Sequence, residues 1–148
     1  IAKGVIMTYA ELQFLLAEAV AKGWITGEAN TYYQAGINAS FGFYGLTTPS
    51  NYMDKSEVKL TANTDENLKK IGFQKWISFF YQGMEAWFDW RRTKIPTLKP
   101  AISNQNGGKI PVRFIYPIIE QGLNGPNRLE AVNRQGGDDI NTLMWHLK

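Results

Sequence analysis

Residues 11–45 read ELQFLLAEAVAKGWITGEANTYYQAGINASFGFYG and predict two helices joined by a short turn. Thr8 and Glu11 have the spacing of a capping box, so the first helix is predicted over residues 8–22. Apolar residues recur within it at helical spacing and are expected to form its buried face: Leu12, Leu15, Leu16 and Ala19. The segment therefore predicts a helical hairpin.

The second helix of the hairpin is predicted over residues 28–41, with Thr26 in the preceding turn as its candidate N-cap. Several residues fall at the intervals of a tetratricopeptide repeat: Leu16, Ala17, Val20, Ala29, Tyr33 and Gly36. The match is partial, because Gln13 and Phe41 stand where that pattern has Trp and Pro. A single repeat cannot bury its own apolar face, so further helices are expected to pack against it.

After this hairpin, assigned to residues 1–42, the sequence predicts a loop and a helical pair. Residues 43–63 are rich in Gly, Pro, Ser, Thr and Asn and show no sustained period, which is typical of a long connection. Residues 64–95 open with acidic residues and continue with apolar residues at helical spacing. Gly83 is expected to divide this segment into two helices, and Pro96 to end the second.

The last third of the chain, residues 96–148, is rich in Pro, Gly and Asn and is expected to be mostly irregular. One edge strand is predicted over residues 109–116, and one short helix over residues 127–133. The predicted fold class is therefore mainly α: a tetratricopeptide-like helical hairpin and further helices, followed by a long irregular C-terminal tail.

Composition excludes several classes of function. The chain of 148 residues is 44% hydrophobic and 20% charged, as expected of one globular domain. It has no Cys and one His, His146, so cysteine-ligated zinc, a histidine-based triad and a multi-histidine metal site are not expected within it. The net charge of +3 is scattered, which argues against a nucleic-acid partner. No cofactor, metal ion or membrane-spanning run is predicted.

Two carboxylates, Glu85 and Asp89, lie one turn apart on the predicted fourth helix. Paired carboxylates are the machinery of glycoside hydrolases, so catalysis is one interpretation. Arg92 follows Asp89 by three residues, and acids at the start with cations at the end suit the dipole of this helix. We therefore favour an ion-paired structural role for these groups.

Aromatic residues form two groups in the sequence. Trp87 and Trp90 are expected to interlock with rings of the preceding helix where the two helices cross: Trp76, Phe79 and Phe80. Three others lie on or beside the long loop, where ligand-binding rings are usually held, and are the candidate ligand-stacking residues: Phe43, Tyr44 and Tyr52.

Near the C-terminus, GGDD at residues 136–139 places two carboxylates beside flexible backbone. It lacks the alternating ligand spacing of a calcium loop, so a capped turn is favoured over a cation site. His146, beside Trp145, is expected at the surface or in a docking contact.

Four segments, taken in chain order, resemble the SusD/RagB family of Bacteroidetes outer-membrane lipoproteins. They are AEA…GW…YYQAGINAS within residues 11–45, QKWISFFYQGMEAWFDWRRTKIPTL at residues 74–98, IPVRFIYPIIEQGLNGPN at residues 110–127, and GGDD…LMWH at the end. The resemblance assigns a structural signature to the following residues: Glu85, Trp87, Arg91, Arg92, Arg113, Tyr116, Pro117 and Glu120.

The resemblance implies a cell-surface, lipid-anchored protein without catalytic activity that binds starch or another glycan and works with a SusC-like, TonB-dependent transporter. The chain begins without an initiator Met or a signal peptide. It is therefore expected to be the C-terminal part of such a protein, with the lipid-bearing Cys upstream. Two alternatives stay open: a tetratricopeptide-type protein interaction module without a sugar ligand, and a two-carboxylate glycoside hydrolase.

Overall fold

The computed structural model describes residues 4–147, which contain six α-helices and no β-strand. The helices are α1 (Tyr9–Ala21), α2 (Ala29–Phe43), α3 (Thr64–Ser78), α4 (Glu85–Thr93), α5 (Ile119–Leu123) and α6 (Gly125–Gln135), with a 3-10 turn at Trp145–Leu147. The mainly α fold class is confirmed. Residues 1–3 and 148 of the predicted hairpin and tail lie outside the described residues. The chain divides into two compact units, Ile1–Thr97 and Leu98–Lys148.

Helix α1 begins at the predicted capping box. The Oγ1 of Thr8 accepts a hydrogen bond of 3.0 Å from the backbone N–H of Glu11, as a capping residue does. The prediction of Thr26 as the N-cap of α2 is wrong: the N-cap is Glu28, and it makes no side-chain capping bond. Gly27, at φ 143°, turns the chain between the two residues, so α2 begins after Glu28.

The core of the first unit lies where α1 packs against α2. Phe14 and Tyr33 are buried and meet edge to face, with ring centroids 6.2 Å apart. Gly36 faces Phe14 so closely that a Cβ at this position would lie 2.9 Å from the ring. The other buried apolar members of this core come from both helices, the long loop and α3: Ala10, Ala17, Ile37, Val58 and Ile71.

The buried face of α1 is not the predicted one. Leu12 is 42% exposed and Leu15 36% exposed, whereas Phe14 and Ala17 are fully buried. Residues three and four apart share a helical face, so the apolar periodicity of α1 supports two faces. Phe14 packs inward because Gly36 of α2 has no side chain at the contact, so the ring and the α2 backbone can approach closely.

The segment between α2 and α3 carries neither helix nor strand and is held to the helices by hydrogen bonds. The hydroxyl of Tyr33 donates to the carbonyl of Val58 at 2.9 Å. The ammonium of Lys70 donates to the carbonyls of Ser56 and Lys59 at 2.8 and 2.7 Å. These bonds satisfy loop carbonyls and order the segment.

Helices α3 and α4 are separated at the predicted break. Tyr81 at φ 57° and Gly83 at φ 65° both take the left-handed conformation, which redirects the chain after α3. Helix α4 ends at Thr93, its C-cap Lys94 is also left-handed at φ 57°, and Pro96 follows two residues later. The interruption and the end of the helical pair are thus confirmed.

The second unit is more helical than the sequence indicates. The helix predicted over residues 127–133 lies within α6, which carries Pro126 in its first turn and ends at Gly136 in the left-handed conformation. The strand predicted over residues 109–116 is wrong. Residues 109–116 carry no strand in the structure: the N–H groups of Val112 and Arg113 both donate to the carbonyl of Ile140, at 2.9 and 3.3 Å, and no regular ladder continues from that point.

Among residues 4–147, every helix is too short or too polar to span a bilayer.

Candidate functional site

A buried ionic cluster joins α1, α3 and α4, with Glu18 at its centre. The two carboxylate oxygens of Glu18 accept from Arg92 at 2.7 and 2.8 Å, in a bidentate pair. The same carboxylate contacts Lys22 at 2.7 Å and Lys75 at 3.2 Å. Burial raises the pKa of Glu18, but hydrogen bonds from Arg92 and Lys22 outweigh burial and hold it far below its usual value.

Asp89 completes this cluster from α4. Its Oδ1 contacts Lys75 at 2.8 Å and Arg92 at 2.9 Å, which confirms the predicted pairing of Asp89 with Arg92. Glu18 and Lys75 were missed because the pair joins residues 57 positions apart, and helix spacing carries no signal at that distance. Lys75 is 1% exposed, so its two carboxylate partners make its burial possible.

Glu85 and Asp89 do not form an isolated acid pair. Asp89 is bound to two cations, and Glu85 lies near a third acid, Glu11 of α1. Burial raises the pKa of Glu11, and the charge of Glu85 raises it further. No group of three or more Asp, Glu or His side chains is placed to hold a metal ion in the described part of the chain. The arrangement suits a structural cluster.

A cleft of about 640 Å³ opens in the first unit between α2, the long loop and the junction of α3 with α4. Its wall is mainly aromatic and apolar: Ile37, Phe41, Tyr44, Leu46, Tyr52, Trp76, Ile77, Phe79, Phe80, Tyr81 and Ala86. Ser40 and Gln74 add polar groups. An apolar cavity of this size with a few fixed polar groups is typical of a small-molecule binding site.

Two of the three predicted stacking residues, Tyr44 and Tyr52, line this cleft, and the ring of Phe43 lies 5.1 Å from that of Tyr44. The hydroxyl of Tyr44 donates to the carbonyl of Phe80, which ties the end of α2 to the end of α3. The hydroxyl of Tyr52 donates to the Oε1 of Gln74 at 3.1 Å. The loop tyrosines are therefore held in place by α3 and its C-terminal end.

The lining of the cleft also contains rings that the sequence assigned to the core, namely Trp76, Phe79 and Phe80, and one ring that it did not assign, Tyr81. Phe80 is 64% exposed and Tyr81 is 90% exposed, so the expectation that Phe80 packs in an interlocked cluster is wrong. Helix α3 ends at Ser78, and the left-handed Tyr81 turns both rings outward. The sequence predicted a break at Gly83, but it did not predict that the rings of Phe80 and Tyr81 would point outward.

The tryptophans of α4 have different environments. Trp90 is buried, and its Nε1 donates to the carbonyl of Pro96 at 3.1 Å. Trp87 is partly buried, and the guanidinium of Arg91 lies 4.3 Å from the centroid of its ring. These contacts fix α4 and the turn that follows it.

In the second unit, the carboxylate of Asp138 binds two residues of the predicted signature, Arg113 and Tyr116, and also binds Arg128. Arg113 is 5% exposed and donates to Asp138 at 3.0 Å, and Arg128 contacts the other oxygen. The N–H of Tyr116 also donates to Asp138 at 3.0 Å. Burial raises the pKa of Asp138, but these partners outweigh burial and lower it below its usual value. The GGDD segment thus forms a helix cap and an ion pair.

The remaining signature residues lie at the start of α5. The carbonyl of Pro117 accepts from the N–H of Glu120 at 3.0 Å. The Oε2 of Glu120 accepts from the side-chain amide of Asn124, also at 3.0 Å. Both contacts are local to this short helix.

Comparison with known proteins identifies the family. A family described as "Starch-binding associating with outer membrane", of the SusD-like type, matches residues 1–117. The chain belongs to the SusD/RagB family. A SusD-like protein of Bacteroidetes AC2a has a TM-score of 0.90 and 32% identity over 98% of this chain and 30% of its own. No match is found among curated proteins.

Other SusD homologues of known structure are similar over nearly the whole chain. One from Bacteroides fragilis has a TM-score of 0.83 and 37% identity, covering 97% of this chain and 35% of its own. A chitin-binding SusD homologue from Flavobacterium johnsoniae has a TM-score of 0.81 and 31% identity, covering 94% and 36%. The chain therefore spans about a third of the length of these SusD structures.

Proposed function

We propose that the protein of which this chain forms part captures glycans at the cell surface without catalysing their cleavage. The observation that supports this function is the aromatic cleft, in a chain of a family described as starch-binding. Aromatic rings present the flat apolar surfaces on which the C–H faces of sugar rings pack, and the hydroxyls and amide beside them offer hydrogen bonds. The chitin-binding relative is consistent with a sugar ligand.

In this proposal sugar rings stack on the aromatic lining of the cleft. Tyr44 and Tyr52 are held by hydrogen bonds, so little freedom is lost when they stack on a ligand. Phe80, whose ring lies 6.5 Å from that of Tyr44, and the adjacent Tyr81 supply exposed ring surface. Phe43 extends this surface through its contact with Tyr44.

Calorimetry of the full-length protein against starch, chitin and plant oligosaccharides tests this function. Tyr81→Ala and Tyr44→Ala should each weaken binding of the best ligand about tenfold, equivalent to about 1.4 kcal/mol. Tyr9→Ala removes a ring that is 63% exposed on α1 outside the cleft and should leave the affinity unchanged. Absence of binding to every glycan would contradict the function, and full affinity in both cleft variants would contradict the site.

The wider role in the proposal is delivery of the glycan to a SusC-like, TonB-dependent transporter by a lipid-anchored outer-membrane protein. The support is family membership, since the family description includes association with the outer membrane. Affinity purification of the tagged full-length protein from native outer membranes, followed by mass spectrometry, should recover such a transporter. Recovery only in the soluble fraction would contradict this role.

A further inference from the structure

A second cleft in the first unit, of about 610 Å³, is lined by one face of α3 and by the segment that follows α4. Its lining includes Glu66, Lys69, Phe73, Lys94, Pro96 and Thr97, and it shares no lining residue with the aromatic cleft. Charged groups and an exposed ring occur together here. The cleft therefore differs in chemistry from the first one.

The three lysines of this cleft differ in the number of polar partners that their ammonium groups have. Lys70 contacts Glu66 at 3.4 Å and donates to two loop carbonyls, so its ammonium is fully engaged. Within residues 4–147, neither Lys69 nor Lys94 has a carboxylate oxygen within 4.0 Å. Lys69 and Lys94 therefore make no ion pair with the described residues, although the charge of Lys69 acts on the carboxylate of Glu66. Glu57, also in the lining, lies near Lys55 and Lys70, whose charges offset it.

Lys94 occupies a backbone position that favours glycine. Its φ is 57°, at the left-handed C-cap of α4, where a side chain adds strain that glycine avoids. Its Nζ lies 4.5 Å from the centroid of the Trp90 ring, which holds the ammonium in place. Burial lowers the pKa of Lys94, and the charge of Arg91 lowers it further, so a bound anion would stabilise this cation. Strain retained at such a position is a feature of functional sites.

Phe73 supplies an apolar platform beside these cations. Its side chain is 42% exposed, and its ring stacks on Trp76, with an interplanar angle of 23° and centroids 6.3 Å apart. The backing by Trp76 limits the orientations that the ring can take. A ligand in this cleft therefore meets a flat apolar surface and two unpaired ammonium groups.

We propose that this cleft binds an acidic sugar, with the carboxylate of a uronic acid residue on Lys69 and Lys94 and the face of its ring on Phe73. This inference rests on the proposed glycan-binding function and adds a ligand class to it. A free inorganic anion would bind the lysines without contacting Phe73. A neutral sugar would stack on Phe73 and leave the lysines without an anionic partner. A uronic acid residue uses all three.

Calorimetry of the full-length protein with tetragalacturonate and with its methyl ester tests the inference, because esterification removes the carboxylate charges and keeps the sugar rings. Tetragalacturonate should bind, more weakly as NaCl rises from 50 to 500 mM, and the ester should bind at least tenfold more weakly. Lys69→Gln and Lys94→Gly should each reduce the affinity about tenfold. Phe73→Ala should reduce it without changing its dependence on salt.

The variant Lys94→Gly separates binding from folding, since glycine suits the backbone at this position and should leave the thermal midpoint unchanged or higher. Lys109→Gln, in the second unit, is the matched control and should bind normally. Equal affinity for the ester, full affinity in Lys69→Gln and Lys94→Gly, or displacement of tetragalacturonate by millimolar inorganic phosphate would each overturn the inference. A failure confined to this cleft leaves the sensitivity of neutral-glycan binding to Tyr81→Ala intact, which distinguishes it from a failure of the proposed function.

Discussion

At the scale of single residues, Glu18 determines how three helices meet. It lies on α1 and binds Lys75 of α3 and Arg92 of α4, while Asp89 binds the same two cations from the other side. Lys75 is almost completely buried, so loss of a carboxylate partner would leave its charge poorly compensated. The network therefore specifies a single arrangement of the helices.

Glu18→Gln should destabilise the protein by about 3 kcal/mol at pH 7, because it breaks a buried ion pair on one side only. The folded-state pKa of Glu18 is lowered, so its contribution is complete above about pH 5 and is lost as the pH falls below about 4.3. Urea denaturation of both proteins at pH 7 and at pH 3 should show a smaller difference at pH 3.

The control for this substitution is Glu130→Gln. Glu130 pairs with Arg134 on α6, but their side chains are 71% and 74% exposed, so the change should cost less than about 0.5 kcal/mol. Equal losses in the free energy of unfolding would show that burial of the Glu18 cluster does not determine its contribution to stability.

Glu11→Gln should raise the thermal midpoint at pH 7. Burial and the charge of Glu85 raise the folded-state pKa of Glu11, so its ionised form opposes folding at neutral pH. Glutamine keeps the capping interaction with Thr8 and removes the charge. Stability of the native protein recovers as the pH falls through the folded-state pKa, so the gain should shrink between pH 7 and pH 4. Calorimetric melting at both values measures it, and a lower midpoint at pH 7 would contradict this account.

At the scale of elements, two glycines allow close approach, one between α1 and α2 and the other between α3 and the segment after α4. A Cβ at Gly36 of α2 would lie 2.9 Å from Phe14 of α1, and one at Gly72 of α3 would lie 2.9 Å from Ile95. Distances this short require the neighbouring group to shift. Gly36 therefore limits the spacing of α1 and α2, and Gly72 limits the distance from α3 to the segment that carries Ile95.

Gly36→Ala should destabilise the protein by about 1–3 kcal/mol, because an added methyl group overpacks the α1–α2 interface. Gly122→Ala in α5 is the matched control: no atom lies within 4 Å of its Cβ position, and alanine favours the helix by about 0.8–1.0 kcal/mol. Urea midpoints should therefore move in opposite directions. A neutral Gly36→Ala variant would refute the close packing at Phe14.

Local features of these elements could be predicted from the sequence. The capping box at Thr8 and Glu11, the break at Gly83 and the pairing of Asp89 with Arg92 each involve residues within a few positions, where side-chain chemistry determines backbone geometry. The helical hairpin could be predicted from the spacing of its apolar residues for the same reason.

Long-range features could not be predicted in the same way. The choice of Phe14 over Leu12 for the buried face of α1 depends on the facing glycine of α2, and the pairing of Glu18 with Lys75 depends on the tertiary fold. In the candidate site, Tyr44 and Tyr52 could be predicted from the sequence because they lie in or beside a long loop. Phe80 and Tyr81 could not be predicted, because their exposure depends on where α3 ends.

At the scale of the whole chain, apolar burial is concentrated in the first unit. Among residues 4–147, the seven buried members of the hydrophobic core all lie within residues 10–71. Among described residues 98–147, Val112 alone belongs to the buried apolar set. The second unit is organised chiefly by polar contacts, above all those of Asp138 with Arg113 and Arg128.

This difference predicts how the two units behave when they are produced separately. Residues 98–148 have no Cys for a disulfide and little apolar burial, and a segment this small needs one or the other to offset its conformational entropy. A peptide of residues 98–148 should show a broad, non-sigmoidal change in far-UV circular dichroism on heating. Residues 1–97 should unfold in a sigmoidal transition, because they retain the whole apolar core. A cooperative transition in the isolated peptide would mean that the ion pairs of Asp138 are enough to fold it.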